Sequence, residues 1–307
     1  MGRTIGLDFE LYQRDVVISE SPYVRLRAID IDPGFTQGTI VFVHGFGGRA
    51  SQWKYQLAEF STEYRVLAPD LRGHHHSSKP HTQYTVDEFV DDLAHSVEHL
   101  NVPKPFVMVG HSFGGALAAA YATRYPDDLE RMVLIATASR FPLIWPARMA
   151  LRLPVAVLRP ASHFVRRALS APPHVLKAYY HKAMADWDGQ DVFPNVKTPT
   201  LVIVGHRDRV FPQATFAEVP QLLPNAESVD GGASAHMVPL ERPDAVNRAI
   251  NRFLGDGATS WRSKTQNRIT SQRPWVKYYE PGVPPTVAIP PQPLHRFLES
   301  AARRHRL

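Results

Sequence analysis

Three residues of this 307-residue chain have the types and settings to do chemistry together. Ser112 lies in Gly110-His-Ser-Phe-Gly114, Asp208 in Gly205-His-Arg-Asp208, and His236 in Gly231-Gly-Ala-Ser-Ala-His-Met237. A serine hydroxyl is a weak nucleophile until a base takes its proton. The base in turn needs a third group to hold its tautomer and orientation. A serine, an imidazole and a carboxylate fill these three roles. Glycine on both flanks of the serine predicts a sharp turn, on which the serine side chain would crowd its neighbours two residues away.

Such a set works only if the fold brings it to one place. Phe106 to Val109 is a short apolar run of strand type, and 114–122 is rich in small, helix-compatible residues. Ser112 is therefore expected on a strand-to-helix turn above helix N-terminal amides. Residues 7–18 and 23–31 read as a strand pair turning at Ser21-Pro22. Residues 39–43, 65–68, 131–135 and 199–205 read as buried strands, with a short strand at 227–229. Helices are expected from an N-cap at Ser51 to about Phe60 and after the cap Thr85. The latter buries Phe89, Val90, Leu93, Val97 and Leu100; further helices are expected over 212–223 and 239–254. Alternating strands and helices predict an α/β fold, with a mostly parallel sheet and helices on both faces. Loops beyond the carboxyl ends of such strands gather the chemistry. His44–Gly48, Gly110–Gly114 and His206–Val210 all fall at that edge.

Residues 138–196 interrupt the alternation with prolines at 142, 146, 154, 160, 172 and 173, among others, and a net charge of +5. They are expected to form a helical cap, within which Phe141, Leu143, Ile144, Trp145, Met149, Leu151, Leu153, Val155, Val157 and Leu158 make an apolar segment. Domain organisation is expected as a catalytic domain over 1–257 and a basic, proline-rich linker and tail over 258–307. The net charge of +6 belongs to that tail, where nine Lys/Arg face two Asp/Glu; the remaining residues carry 26 basic and 27 acidic groups. A near-neutral body removes the support for general nucleic-acid binding. With no cysteine, thiolate chemistry, disulfides and cysteine-bound zinc are excluded. The amino terminus lacks an apolar core for a signal peptide, and a cytoplasmic location is expected.

Other histidines have plainer expected roles. His111 should pack and hydrogen-bond rather than act as base, and His44 should support its loop. His74–His76 cannot all face one ion, so a solvated loop is expected there and no metal site. No acid follows the strand at 131–135, which leaves Asp208 as orienter.

His44-Gly-Phe-Gly, Asp70-Leu-Arg-Gly73, Gly110-His-Ser-Phe-Gly-Gly115, Gly205-x-x-Asp208 and His236-Met-Val-Pro239 stand in the order of landmarks in the α/β-hydrolase superfamily. Over about residues 20–255 the chain resembles its capped, esterase/lipase-like branch. The resemblance implies Ser112 as nucleophile, His236 as base and Asp208 as its orienter, with the backbone N–H groups of Phe46 and Phe113 as oxyanion hole and no cofactor or metal. It implies a serine hydrolase acting on carboxylic esters with an apolar acyl group. Thioester or lactone hydrolysis and a non-catalytic ligand-binding domain are the alternatives. A serine nucleophile disfavours the aspartate-based chemistry of haloalkane dehalogenases and epoxide hydrolases.

The tail, with Arg273-Pro-Trp-Val-Lys-Tyr-Tyr and Pro281-Gly-Val-Pro, resembles the start of long-chain acyl-CoA synthetases and related AMP-forming ligases. Expected partners are a small-molecule acyl ester, a membrane surface contacted weakly through the cap or tail, and an AMP-forming acyl ligase by fusion or association. No nucleic-acid partner is expected.

Overall fold

The structure, a computed structural model, describes residues 8–34, 36–143, 148, 149, 152, 153, 169–255 and 302. The tail, apart from residue 302, and Ile144, Trp145, Leu151, Val155, Val157 and Leu158 of the insertion lie outside the described residues.

Eight strands form one sheet: β1 (Gln13–Glu20), β2 (Tyr23–Ile31), β3 (Thr39–Val43), β4 (Arg65–Asp70), β5 (Phe106–His111), β6 (Leu129–Ile135), β7 (Thr200–Val204) and β8 (Ala226–Asp230), in the order β1-β2-β4-β3-β5-β6-β7-β8. The first two strands pair antiparallel with each other, and β2 with β4; all later neighbours are parallel. The continuous apolar runs have a simple cause. Val41, Val43, Met108, Met132, Leu134 and Val202 enter the core on one face, while Ile40, Phe42, Val107, Val109, Val133, Ile135, Leu201 and Ile203 enter the core on the other. Both faces of the parallel strands are covered, so alternate residues have no polar side to turn to.

Between strands lie α1 (Lys54–Phe60), α2 (Val86–His99), α3 (Phe113–Arg124), α4 (Pro173–Tyr179), the short α5 (Gly189–Val192), α6 (Gln213–Ala217) and α7 (Val219–Leu222), and after β8 come α8 (Val238–Glu241) and α9 (Pro243–Gly255). Thr85 opens α2 with a full capping box: its hydroxyl accepts from Glu88 N–H, and the Glu88 carboxylate accepts from Thr85 N–H. Phe89, Val90, Leu93 and Val97 are buried as the spacing predicts, with Leu100 half-buried. On the same helix Asp92 takes a bidentate pair of 2.6 Å bonds from buried Arg72, which also meets Glu88 at 2.6 Å.

Local expectations fail where a distant group intervenes. Ser51 is not an N-cap: a 3₁₀ turn, Ala50–Trp53, precedes α1, and the Asp70 carboxylate accepts from Ala50 N–H at 2.7 Å. A carboxylate twenty residues away does the work of a capping side chain. The first strand does not start at residue 7, because Phe9–Tyr12 form a 3₁₀ turn opened by Asp8. The helix expected over 212–223 is two, with Pro220 in the first turn of α7. Among the described residues no helix is long and apolar enough to cross a membrane.

Candidate active site

The turn between β5 and α3 holds Ser112 at φ 55° and ψ −126°, a conformation L-residues seldom adopt. Neighbouring groups over-determine it. Ser112 N–H donates to Ile135 O at 2.8 Å, and its carbonyl accepts from Gly115 N–H at 3.0 Å and from Thr137 Oγ1 at 3.1 Å. The glycine spacing has a different origin from the crowding by Ser112 expected above. A Cβ on Gly110 would lie 2.5 Å from Gly114 O and from Gly115 Cα. One on Gly114 would run into the carbonyl oxygens of Val43 and His44. The flanks must be glycine because α3 starts directly against the ends of β3 and β5, so backbone rather than the serine side chain supplies the obstruction.

The structure brings the three expected residues together. Ser112 Oγ lies 2.9 Å from His236 Nε2, and His236 Nδ1 lies 2.7 Å from Asp208 Oδ2. Asp208 is fully buried just past β7, and its second oxygen accepts from Val210 N–H at 3.0 Å. Its main-chain carbonyl accepts from Gln213 Nε2. His236 rides on the loop after β8. The Glu241 carboxylate accepts from Ala235 N–H at 2.7 Å and Met237 N–H at 3.0 Å, gripping the chain on both sides of the imidazole.

His111 adds a second hold on that loop. Its Nε2–H donates to His236 O at 2.8 Å, and Nδ1, 3.3 Å from Gln52 Nε2, accepts from that amide. Burial, reinforced by the neighbouring His236, pushes its pKa down to about 3, so the ring is neutral and fits one donor and one acceptor. Sequence reasoning missed Gln52 and Glu241. Neither carries a motif, and only proximity to the His236 loop hints at Glu241.

The segments that carry the two expected oxyanion donors meet at Ser112. As first residue of α3, Phe113 has an N–H with no acceptor inside its helix. A Cβ on Gly45 would stand 3.3 Å from Phe113 N and 2.9 Å from Ser112 Cβ, so the chain leading into Phe46 passes directly over the serine. Gly47 N–H is taken by His74 Nε2 and Gly48 N–H by Gly45 O, whereas Phe46 N–H has no acceptor among the described residues. His44 braces this loop, accepting from Leu71 N–H at 2.9 Å and bonding Gly45 O at 2.8 Å.

The loop of His74–His76 is not solvated throughout. His74 is fully buried, bonded to Gly47 N–H and Arg72 O, and burial, with help from His44, pushes its pKa down to about 3. His75 bonds Asp70 at 3.0 Å. Burial raises the Asp70 carboxyl, but the His75 and Ala50 hydrogen bonds and the nearby His44 outweigh it and leave the group below its ordinary range. What the sequence presents as a histidine cluster is the underside of the Gly45–Gly48 loop. Among the described residues no group of three or more His, Cys, Asp and Glu is placed to hold a metal ion.

A cavity of about 580 Å³ opens on Ser112 and His236. The insertion contributes Leu143, Leu169, Ser170 and Met184 to its wall, which also includes Phe46 and Phe211. Ser170 is stitched to the body through its backbone, donating to Gly47 O at 2.9 Å and accepting from His75 N–H at 2.6 Å. Behind the elbow, Phe113 packs against Phe141, Tyr179 and Trp187 at 4.9–5.8 Å between ring centroids.

Residues 38–158 match the family model for the alpha/beta hydrolase fold. Among known proteins, a 3-oxoadipate enol-lactonase 2 from Acinetobacter baylyi is 25% identical over 238 residues, spanning 70% of this chain and 88% of that protein. A 2-hydroxy-6-oxo-2,4-heptadienoate hydrolase from Pseudomonas putida is 28% identical over 246 residues, with 70% and 88% covered. A thermophilic esterase from Thermogutta terrifontis superposes with a TM-score of 0.69 at 28% identity, covering 80% of this chain and 98% of that one. Sheet order, the turn bearing Ser112 and these similarities agree: the chain has the α/β-hydrolase fold and is similar to hydrolases of that superfamily.

Proposed function

We propose that the protein is a serine hydrolase that cleaves carboxylic esters through an acyl-enzyme formed on Ser112. The observation that carries this reading is the unbroken chain from Ser112 Oγ through His236 to buried Asp208, at 2.9 and 2.7 Å, facing a cavity with room for a small substrate. Ser112 Oγ attacks the acyl carbon as His236 Nε2 takes its proton. The imidazolium that forms is stabilised by Asp208, and the proton returns to the leaving alcohol. Water then repeats the sequence on the acyl-enzyme. Phe46 and Phe113 N–H receive the oxyanion; one such donor is typically worth about 2.7–4 kcal/mol in the transition state. The apolar wall of Phe46, Leu143, Leu169, Met184 and Phe211 suits an apolar portion of the substrate.

Lactone hydrolysis is the second reading, favoured by the similarity to an enol-lactonase along nearly the whole length of that protein. The attack and the proton path are the same, and the leaving alcohol stays tethered to the acyl group. Fluorophosphonate labelling, followed by turnover of p-nitrophenyl esters from C2 to C16, a lactone panel and acyl-CoAs, tests both readings with Ser112→Ala as control. Absence of labelling, or turnover unchanged in Ser112→Ala, would refute them. The profile across the panels assigns the bond.

A further inference from the structure

The cavity in front of Ser112 is apolar on one side and cationic on another. Arg49 and Lys54 both line it, and no aspartate or glutamate does so among the described residues. Both are exposed, and no carboxylate among the described residues lies within ion-pair distance of either, although Lys54 Nζ sits 4.7 Å over the Tyr55 ring. The near-neutral body has acids enough to pair them elsewhere, so two unpaired cations converging on the nucleophile's cavity are a local feature.

Their backbone is fixed relative to the reacting centre. Arg49 follows Phe46 by three residues, which limits the separation of their Cα atoms to about 11 Å even if fully extended. Asp70 pins Ala50, and Gln52 is bonded to His111, the residue next to Ser112. Lys54 begins α1 directly after this anchored turn. A cleft lined by one sign of charge, with low-dielectric walls, focuses its field on a ligand of the opposite sign.

Building on the serine-hydrolase reading, we propose that the substrate carries a carboxylate a few bonds from the scissile carbonyl, and that Arg49 and Lys54 receive it. The phosphates of a coenzyme A thioester lie a whole pantetheine arm from the carbonyl and fall outside this span. Arg49, with its planar fork, makes the directional contact, and Lys54 adds a mobile point charge. The apolar wall then holds the carbon chain between the two polar ends.

A matched pair of substrates reads this directly: p-nitrophenyl hydrogen glutarate, which bears a free carboxylate, and its neutral methyl ester. In the wild-type protein kcat/KM should favour the anionic ester by about tenfold or more, the size expected of a charge-assisted hydrogen bond. The preference should shrink as NaCl rises. In Arg49→Gln/Lys54→Gln the ratio of the two substrates should fall toward one, chiefly through KM of the anionic ester. A wild-type preference for the neutral ester, or a ratio unchanged in the double variant, overturns the proposal. If neither ester turns over and fluorophosphonate fails to label Ser112, the hydrolase reading fails instead. Calorimetric binding of glutarate to Ser112→Ala protein, lost in the added double substitution, then still decides the charge recognition; equal binding with and without the two cations refutes it.

Discussion

Mild acid should unfold this protein through two buried histidines. Burial is the leading cause that holds His74 and His111 down to about 3, against 6.5 for the unperturbed group. Each ring also uses both nitrogens in hydrogen bonds suited to the neutral form. In the unfolded chain both take up a proton below pH 6.5; in the folded chain neither does so above about pH 3. Their stabilising contribution is therefore complete above pH 6.5 and is lost as pH falls towards 3. Between pH 7 and 5 each group should cost about 1.9 kcal/mol, and the pair about 4 kcal/mol, a large part of ordinary domain stability. Asp70, held below its ordinary value of 3.8, contributes only in more acid solution. Urea unfolding followed by tryptophan fluorescence at pH 7, 6 and 5 measures the wild-type slope. His74→Gln and His111→Gln should each be less stable at pH 7, yet flatten the slope by nearly one proton in the acid half of the window. Wild-type stability that is level or rising toward pH 5, or slopes unchanged in both variants, would refute the assignment of these rings as buried and neutral.

Asp208→Asn should lower kcat by about 10⁴-fold while leaving fluorescence and unfolding nearly unchanged. The new amide oxygen must stay on Val210 N–H, so its NH₂ faces His236 Nδ1 and leaves the proton on Nε2, opposite Ser112; retention of more than a tenth of the rate would contradict this. Thr85→Ala breaks the capping box of α2 far from the cavity, and should cost about 1 kcal/mol in urea titration with kcat/KM intact.

How much could be read in advance depends on how local the cause is. The buried strands were legible because two covered faces demand apolar residues at successive positions, as in Thr39–Val43, where all five are buried. The cap at Thr85 was legible for the same reason: the helix it opens begins at the next residue, and the structure adds Glu88 as its reciprocal partner. The start of α1 was not, because Asp70 acts from another strand. Ser112, Asp208 and His236 could be named from turn chemistry and chain order, and the structure places them in contact. Gln52 and Glu241 could not, since an amide and a carboxylate holding loop amides leave no spacing signature. His74 is buried rather than solvated because Gly47, His44 and Tyr179, all distant in sequence, close around its ring.

The bond from His111 to the carbonyl of His236 has a mechanical consequence. Ser112 is one peptide from His111, so the nucleophile and the base are referenced to the same point in the molecule rather than to separate walls of a cleft. A displacement of the last loop against the sheet must stretch this bond before it can widen the Ser112–His236 gap, because Ser112 is itself tied to the sheet through Ile135. The proton-transfer distance is thereby braced by a bond that does not involve the reacting atoms.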